Sequence, residues 1–532
     1  MARTRFGQRW MLALVVLFAL AVSRSASAAD KFSFGVMSDT QWKANIDGKN
    51  PNTVAVGIIG QLNQEFIRGG VKFVIQVGDL TDNGSAAAMQ TRADAAQALY
   101  VAGVGFFPLR GNHESSGAAA LQFQTLYPQS QGTGDHLAGA TGFTSPMQTL
   151  AGLSYAFDYG NARFVLLDQF TRTDGTNYLG SSNNNVVDQL PWIGSALAAR
   201  PAGGHAFVFG HKGFITENHT DTLFGANPAS NADAQNAFFA SLFGNDVRYY
   251  FGGHDHMHNR ALVLSPDGSA AVQDITASSN SYKFYVPLVP PNDVVYDNPQ
   301  REIELSQELF TVGYYIVTVD GPRVTVDHYA SPNGCGGDCD LSVTPALTFS
   351  KRETFGYSLN GKEFLVRPGQ RYDVVKDGYA GTTAAILDGV DGSNQTDHAG
   401  RPLSHVVTTG WSERECGAGS STLYLWGMAT AMGSDRTDVH VVSLSYDPKY
   451  LRAEAIGNGG FGVVAKDPTG AWVNAVALNS GGVPTYVMGP YAPGYALGTY
   501  GVDPDTKTAW AVIDHTNAQL KVTNFEATKN CR

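Results

Sequence analysis

Charged residues, cysteines and long apolar stretches are all scarce in this chain of 532 residues. Asp, Glu, Lys and Arg together make up only 16%, and acids outnumber bases to give a net charge of −11. An acidic chain with so few cationic side chains is poorly suited to bind nucleic acid or anionic lipid. Glycine is frequent, at 60 residues, but it has no three-residue period, which excludes collagen. No repeat of fixed period occurs either, which disfavours solenoids and propellers.

The longest unbroken apolar run stands near the N-terminus, from Trp10 to Val22. Arginines precede the run, and the small residues Ser25 to Ala29 follow it. This order is typical of a secretory signal peptide, and the run is shorter than the ~20 residues that span a bilayer. We therefore expect a signal peptide at residues 1–29, no transmembrane segment, and a secreted or periplasmic location.

The four cysteines are Cys335, Cys339, Cys416 and Cys531. An even number in an exported protein favours disulfides, for which three pairings are possible. One of these closes the short loop between Cys335 and Cys339 and joins Cys416 to Cys531. The alternative is a zinc site of four thiolates, which is disfavoured because the last two cysteines lie too far along the chain for paired zinc knuckles.

The rest of the chain, which is too long for one ordinary core, divides into two regions. Residues 30–335 alternate apolar strands with helical periodicity, as in Phe32–Ser38 and Thr53–Arg68. This alternation predicts an α/β (α+β) layered domain with mixed β-sheets. Residues 350–532 show short strands separated by Gly, Pro and Asp, which predicts an all-β accessory domain, either a sandwich or an open barrel.

Side chains that suit metal ligation follow five of the predicted strands. In chain order they are Asp39 with Gln41, then Asp79, Asn112, His211, and His254 with His256. Each alone has an ordinary structural explanation, such as a helix cap for Asp79 or a buried core position for His211. Because α/β sheets place their sites at the carboxyl ends of strands, the whole set indicates a metal centre.

This ordered set resembles the calcineurin-like metallophosphoesterases, whose motifs read D-x-[H/Q], GDxxD, GNH[D/E], GH and GHxH. The match covers residues 31–330 and implies two mixed β-sheets face to face with helices outside. It also implies two metal ions, one held by Asp39, Gln41, Asp79 and His256, the other by Asp79, Asn112, His211 and His254. A bridging carboxylate such as Asp79 is the simplest way to hold two cations ~3.5–4 Å apart. Oxygen and imidazole donors without thiolate suit divalent or trivalent Mn, Fe, Zn or Co.

The same resemblance implies a hydrolase that cleaves phosphate esters, either a phosphomonoesterase or a phosphodiesterase. A metal-bridging hydroxide would attack phosphorus, and His113 would act as the general acid for the leaving alkoxide. Glu114 or another acid would orient that imidazole and raise its pKa. The alternative role of His113 is a structural one beside the metals.

Two positions depart from common family patterns. Gln41 stands where many relatives carry histidine, and its neutral amide oxygen is expected to hold a metal less tightly. Asp82 stands where purple acid phosphatases carry a ligating tyrosine, so no tyrosinate–iron colour is expected. Near the site segments, His219 and His258 either touch substrate or are exposed loop histidines, and the second interpretation is favoured. The loop at 280–300 either walls the substrate pocket or packs on the neighbouring domain.

For partners we expect a phosphoester substrate, no nucleic acid, a glycan or protein contact by the C-terminal domain, and a monomer. The alternative function is a non-catalytic cell-surface or glycan-binding protein that retains the metallophosphoesterase scaffold. Such a scaffold should have lost ligands, and the sequence keeps a candidate at every ligand position. The hydrolase is therefore the favoured interpretation.

Overall fold

The computed structural model describes most of the chain between Lys31 and Glu526. The described residues are 31–43, 50–178, 183–226, 228–288, 301–332, 346–365, 371–374, 378–388, 395–429, 432–450, 452–516 and 519–526. The predicted signal peptide, residues 289–300 and the cysteines Cys335, Cys339 and Cys531 lie outside them. The signal peptide and the disulfide pairing therefore stay predictions. Across the described ranges, no helix is long and apolar enough to cross a membrane.

Seven α-helices lie in the described part of the chain. They are α1 Val56–Arg68, α2 Ala86–Ala95, α3 Gln97–Val101, α4 Gly117–Leu126, α5 Leu190–Ala198, α6 Ala232–Gly244 and α7 Ala453–Asn458. Serine caps begin two of them. The Ser85 hydroxyl accepts a hydrogen bond from a backbone N–H of the first turn of α2 (3.3 Å), and Ser116 does the same for α4 (3.1 Å). These bonds satisfy N–H groups that a helix start leaves without partners.

The first region is built from two β-sheets. Its strands are β1 Phe32–Met37, β2 Phe73–Val77, β3 Gly105–Leu109, β4 Thr141–Thr144, β5 Tyr155–Tyr159, β6 Ala162–Leu167, β7 His205–Gly210, β8 Tyr249–Gly252, β9 His258–Leu264, β10 Ala271–Thr276, β11 Glu302–Glu308, β12 Thr311–Asp320, β13 Arg323–Pro332 and β14 Ser350–Ser358. One sheet has six strands in the order β14-β13-β12-β1-β2-β3, and the other has eight in the order β11-β9-β10-β8-β7-β6-β5-β4. Both are mixed, since β1 pairs in parallel with β2 and antiparallel with β12, and β10 likewise pairs both ways. The predicted mixed sheets are confirmed.

An aromatic layer fills the space between the two sheets. The Phe34 ring of β1 lies 5.1 Å from that of Phe164 and 5.2 Å from that of Phe207, both on the eight-stranded sheet. On its own sheet it stacks on Phe73 at 5.4 Å. Helices α1 to α4 pack on the outer face of the six-stranded sheet, and α5 and α6 cover the other sheet. The predicted layers, with sheets inside and helices outside, are confirmed.

Strand direction decides where the site lies. β1, β2 and β3 run parallel, so the residues that follow them all emerge at one edge of the six-stranded sheet. β7 and β8 also run parallel to each other in the eight-stranded sheet. Their carboxyl ends meet those of the first sheet. Nδ1 of His211, after β7, lies 3.0 Å from the carbonyl of Val77 at the end of β2, and the backbone N–H of His254, after β8, donates to Asp39 Oδ2 at 3.1 Å.

Strand β14 extends the first sheet beyond the region boundary that the sequence pattern indicates. It pairs antiparallel with β13 from Ser358 opposite Arg323 to Ser350 opposite Ala330. Residues 350–358 therefore complete the six-stranded sheet, although the pattern assigns them to the accessory domain. Short strands of alternating polar and apolar residues have similar sequence patterns. The sheet that such a strand joins is therefore decided by tertiary packing.

The C-terminal region consists of two further six-stranded sheets, in the orders β15-β18-β19-β26-β21-β22 and β16-β17-β20-β25-β24-β23. Their strands are β15 Glu363–Leu365, β16 Tyr372–Asp373, β17 Ala384–Asp388, β18 Val406–Ser412, β19 Thr422–Trp426, β20 Arg436–Ser445, β21 Phe461–Lys466, β22 Trp472–Asn474, β23 Thr485–Met488, β24 Thr499–Asp503, β25 Thr508–His515 and β26 Gln519–Asn524. Their inner faces share one core, with Trp411 and Leu423 from one sheet and Val442 and Ile513 from the other. The all-β prediction is confirmed, and the arrangement is a sandwich.

Replacing Phe34 tests the aromatic layer. Phe34→Ala removes a ring that is fully buried between the sheets, so we expect the first region to lose about 3–5 kcal/mol of unfolding free energy. Urea unfolding followed by tryptophan fluorescence measures this loss. Phe243→Ala is the matched control, because that ring is 40% exposed and its removal should cost far less. Equal destabilisation by the two variants would contradict the described core.

Candidate metal centre

One carboxylate, that of Asp79, belongs to two groups of ligand-type side chains. Asp79, His211 and His254 form one group, and Asp39, Asp79 and His256 form the other. Within each group the ligand atoms all lie within 4.8 Å of one another. The structure thus brings these predicted ligands together in two sets that share Asp79.

The two predicted amide ligands lie in the same place. The Asn112 Oδ1 atom is 2.8 Å from Nε2 of His211, and Gln41 Nε2 is 2.8 Å from Oδ2 of Asp79. Among the described residues, the buried Oε1 atom of Gln41 has no hydrogen-bond donor. A half-turn of the amide would place that oxygen near Asp79 and His256, as a metal ligand requires.

The hydrogen bonds of the histidines leave ring nitrogens ready to bind metal. Nδ1 of His211 lies 3.0 Å from the Val77 carbonyl, and Nδ1 of His256 lies 3.0 Å from the Lys283 carbonyl. A carbonyl can only accept, so each Nδ1 carries the proton and each Nε2 presents a lone pair to the centre. In His254 the roles of the two nitrogens are reversed. Nε2 lies 3.2 Å from the Asp221 carboxylate and carries the proton, so Nδ1 has the lone pair that can bind a metal.

Backbone strain is concentrated at these ligands. Asp39, Asp79, His254 and His256 have φ values of 47°, 42°, 73° and 52°, in the left-handed region that residues with a side chain rarely adopt. Each such residue costs of order 1 kcal/mol or more, and strain of this kind is typical of functional sites. The tight turns let the side chains leave the strand ends in the direction of the shared carboxylate.

Glycines next to two ligands make room for the centre. A Cβ atom on Gly111 would lie 1.9 Å from Oδ1 of Asp79, and one on Gly78 would lie 2.3 Å from Nδ1 of His211. Gly78 also has a φ of 91°. The glycines of the GD and GN motifs are therefore required by the close approach of the ligands.

The electrostatics of the centre fit bound cations. Burial raises the pKa of Asp39, and the charge of Asp79 raises it further. Burial also acts to raise the pKa of Asp79, but the charges of His211, His113 and His254 and the hydrogen bond from the His113 backbone together lower it by more, so the net shift is downward. Two buried carboxylates side by side are costly without positive charge between them. The donor set of carboxylate, amide and imidazole therefore fits two metal ions.

His113 stands at the open side of the centre. Its side chain is 24% exposed, and Nε2 lies 3.6 Å from Oδ2 of Asp79. Nδ1 lies 2.7 Å from the Asp82 backbone carbonyl, which fixes the ring. The charge of Asp79 raises the pKa of His113 above its ordinary value, so the imidazole keeps its proton to higher pH.

Glu114 joins the loops on either side of the imidazole, and its charge is among those that raise the pKa of His113. Its buried carboxylate accepts hydrogen bonds from the backbone N–H groups of Leu80 (3.2 Å), Thr81 (2.8 Å) and Gly111 (3.1 Å). These bonds join the turn after β2 to the turn after β3. Burial, reinforced by the charge of Asp79, raises the pKa of Glu114 to about 7. The group that holds the His113 ring is Asp82, and the catalytic role of Glu114 stays a prediction.

Two further histidines, His219 and His258, have defined partners in the structure. His219 stacks on His254 with ring centroids 3.8 Å apart and has its Nδ1 atom 2.7 Å from Asp255, so it belongs to the metal centre. His258 is buried in β9, with Nδ1 2.7 Å from the Tyr315 hydroxyl. The interpretation as an exposed loop histidine is wrong for His258, whereas His219 does lie in a loop, with its side chain 27% exposed. A lone histidine carries no periodicity that would reveal its partners.

Sequence reasoning also missed two charged groups. Asp221 accepts from Lys212 and lies 3.2 Å from His254 Nε2. Lys283 pairs with Asp82 at 2.7 Å. Both residues come from loops without a motif, so only the folded structure shows them at the site. Since Lys283 and His256 are in contact, the described part of the loop at 280–300 does line the centre.

Gly111→Ala tests the close approach of the ligands. The added methyl group overlaps the Asp79 carboxylate, so we expect the metal content of the purified protein to fall at least ~10-fold. Elemental analysis of the folded protein measures it. The matched control is Gly60→Ala in α1, where no atom lies within 4 Å of the added methyl group. Normal metal content in Gly111→Ala would show that the turn after β3 does not support the centre.

Comparison with known proteins gives one match by sequence and several by structure. Residues 32–258 match the family model for calcineurin-like phosphoesterases. Similar solved structures include a dimetal phosphatase from Danio rerio (18% identity, TM-score 0.34), covering 56% of this chain and 95% of that one. Purple acid phosphatase PPD1 from yellow lupin seeds is 13% identical (TM-score 0.39), covering 60% of this chain and 57% of that one. GAP50, the anchor in the inner membrane complex of Plasmodium, is 14% identical (TM-score 0.35), with 60% and 90% covered.

No curated protein matches the sequence. The matched segment contains every predicted ligand, from Asp39 to His256. Residues 32–258 of this chain therefore form a domain of the calcineurin-like phosphoesterase family.

Proposed function

We propose that this chain is an exported metal-dependent hydrolase that cleaves phosphate esters, with His113 as its general acid. The observation that carries the proposal is the Asp79 carboxylate shared by two ligand sets, with the imidazole of His113 beside it. When bound, two metal ions would supply an activated water near neutral pH and would neutralise charge on the phosphoryl oxygens. The residues that would hold them are Asp39, Gln41, Asp79, Asn112, His211, His254 and His256.

His113 has the position that a proton donor needs. Its ring is held at Nδ1 by the Asp82 carbonyl, so Nε2 faces the same side as the Asp79 carboxylate. The ring is also reachable from solvent, whereas the side chains of His211 and His256 are at most 2% exposed. A protonated Nε2 would therefore meet the leaving oxygen of a bound ester and give it a proton.

The rim of the centre suits an anionic substrate. The cationic side chain of Lys283 and the partly exposed ring of His219 stand next to the ligands. Tyr285 packs edge-on against His219 and His256, with centroids 4.9 Å away in each case. A phosphoryl group bound at the centre would lie beside these residues, with its ester group toward solvent. Monoesters and diesters both meet this requirement, and the assay below separates them.

Export is the second part of the proposal. It is supported by the arginines, the apolar run and the small residues of positions 1–29. The alternative of a binding protein without catalysis would be expected to show lost ligands, and every predicted ligand side chain stands at the centre.

Metal removal is the first test of the function. Dialysis against a chelator should abolish hydrolysis of aryl phosphate monoesters and diesters, and Mn²⁺, Fe²⁺, Zn²⁺ or Co²⁺ should restore it. The better substrate identifies the subclass. Asp79→Asn should lose both metals and all activity, because the two ligand sets share this carboxylate. Activity that survives the chelator, or that survives in Asp79→Asn with no metal bound, would refute the proposal.

Substitution of His113 tests the general acid. His113→Ala should retain both metals, yet slow esters with poor leaving groups by about 10²–10⁴-fold, because these need a proton most. Esters with good leaving groups should be slowed far less. The readout is the slope of log kcat/KM against the pKa of the leaving alcohol. His398→Ala, at an exposed residue of the C-terminal region, is the control and should leave the slope unchanged. A uniform loss across all leaving groups would assign His113 a structural role.

A further inference from the structure

A second group of carboxylates lies between the phosphoesterase domain and the C-terminal region. Glu217 follows β7, and Glu302 and Glu304 lie on β11. One oxygen of each lies within 4.8 Å of an oxygen of the other two. None of these residues belongs to the metal centre described above.

The C-terminal region contributes one cation to this group, Arg401. Its guanidinium lies 2.7 Å from Glu217 Oε2, 3.3 Å from Glu302 Oε1 and 3.2 Å from Glu304 Oε1. The same side chain is also paired with Asp397 at 2.5 Å. Arg401 therefore contacts one oxygen of each glutamate.

The second oxygens of two glutamates have no N–H or O–H donor among the described residues. Glu302 Oε2 and Glu304 Oε2 are buried and receive no hydrogen bond from any residue that the structure describes. The side chains are only 3% and 2% exposed. Buried carboxylate oxygens without a donor are costly and are rarely left so in folded proteins.

The charge of the group is also unbalanced. Within the described ranges, four carboxylates, those of the three glutamates and Asp397, face the single guanidinium of Arg401. Burial raises the pKa of Glu217 and Glu304, and the charge of neighbouring glutamates raises both further. A buried cluster of this kind needs either protons or a second cation.

We propose that Glu217, Glu302 and Glu304 bind a hard divalent cation, calcium in preference to magnesium, at the junction of the two regions. Their donors are carboxylate oxygens alone, which select hard cations. Calcium accepts irregular arrangements of carboxylates, whereas magnesium demands a near-ideal octahedron. The Arg401 side chain keeps 24% exposure, so the group is open to solvent on that side.

The ion would support the metal centre through one loop. The backbone N–H of Glu217 donates to Asp255 Oδ2 at 2.6 Å, and Asp255 Oδ1 lies 2.7 Å from Nδ1 of His219. His219 in turn stacks on His254. Cation binding at Glu217 would therefore steady the loop that carries His219 and would join the two regions.

Calcium titration of the full-length protein, loaded with its catalytic metals and then freed of calcium, tests the proposal. Isothermal calorimetry should find one calcium ion per chain. Saturating calcium at about 100 times its Kd should raise Tm by about 5 °C. In Glu304→Gln the calcium affinity should fall at least ~10-fold and the rise in Tm should disappear. The isosteric change keeps the volume, and circular dichroism verifies that the variant is folded.

Two controls separate this site from the catalytic one. Asp79→Asn should still bind one calcium ion, because its substitution lies in the other centre. Glu454→Gln, at an exposed acid on α7, should behave like the unaltered chain. The proposal is overturned by the absence of calcium binding, by equal calcium affinity in Glu304→Gln, or by loss of binding in Asp79→Asn. A larger Tm rise with magnesium than with calcium would overturn the choice of ion.

Discussion

Two cations a few ångströms apart repel each other, and a negatively charged group between them offsets this repulsion. In this protein the group that would stand between them is the buried Asp79 carboxylate, and much of the first region is arranged around it. It receives the backbone N–H of His113 at 3.1 Å, and it faces ligand sets from both sheets. Its turn is possible only because Gly78 precedes it with a positive φ and Gly111 leaves its oxygen uncrowded.

Such a centre can be held in place only by a rigid scaffold, because its ligands sit in strained turns. The aromatic layer around Phe34 fixes the two sheets against each other and therefore fixes the distance between their strand ends. Buried polar groups then secure the turns themselves. Glu114 joins the turns after β2 and β3, and the buried pair of Arg110 with Asp168, at 2.6 Å, anchors the segment after β3. Hydrophobic packing thus provides the frame, and buried hydrogen bonds set the ligand positions within it.

The C-terminal sandwich is more than an appended module. It follows directly on β14, which completes the six-stranded sheet of the phosphoesterase domain. Arg401 then reaches back into the glutamates beside the loop of His219. A buried charged contact of this kind strongly disfavours separation of the partners, because each would be left with uncompensated charge. The two regions are therefore expected to act as one body around the loop that carries His219.

The ligand types and their order along the chain were determined by the sequence alone, because Asp39, Asp79, Asn112, His211 and the His254/His256 pair each follow an apolar strand at its end. The same local patterns determined the layered α/β region and the all-β region, since alternation and helical period are properties of neighbouring residues. Contacts between distant segments were decided by the tertiary structure: β14 in the first sheet, the Asp82 carbonyl at the His113 ring, and His219 stacked on His254. The contacts of Arg401 with the glutamates were also decided by the tertiary structure, since Glu217 and Arg401 are 184 residues apart in the chain. No local sequence pattern reveals such pairs, because their attraction becomes strong only after folding has buried both partners and removed their water.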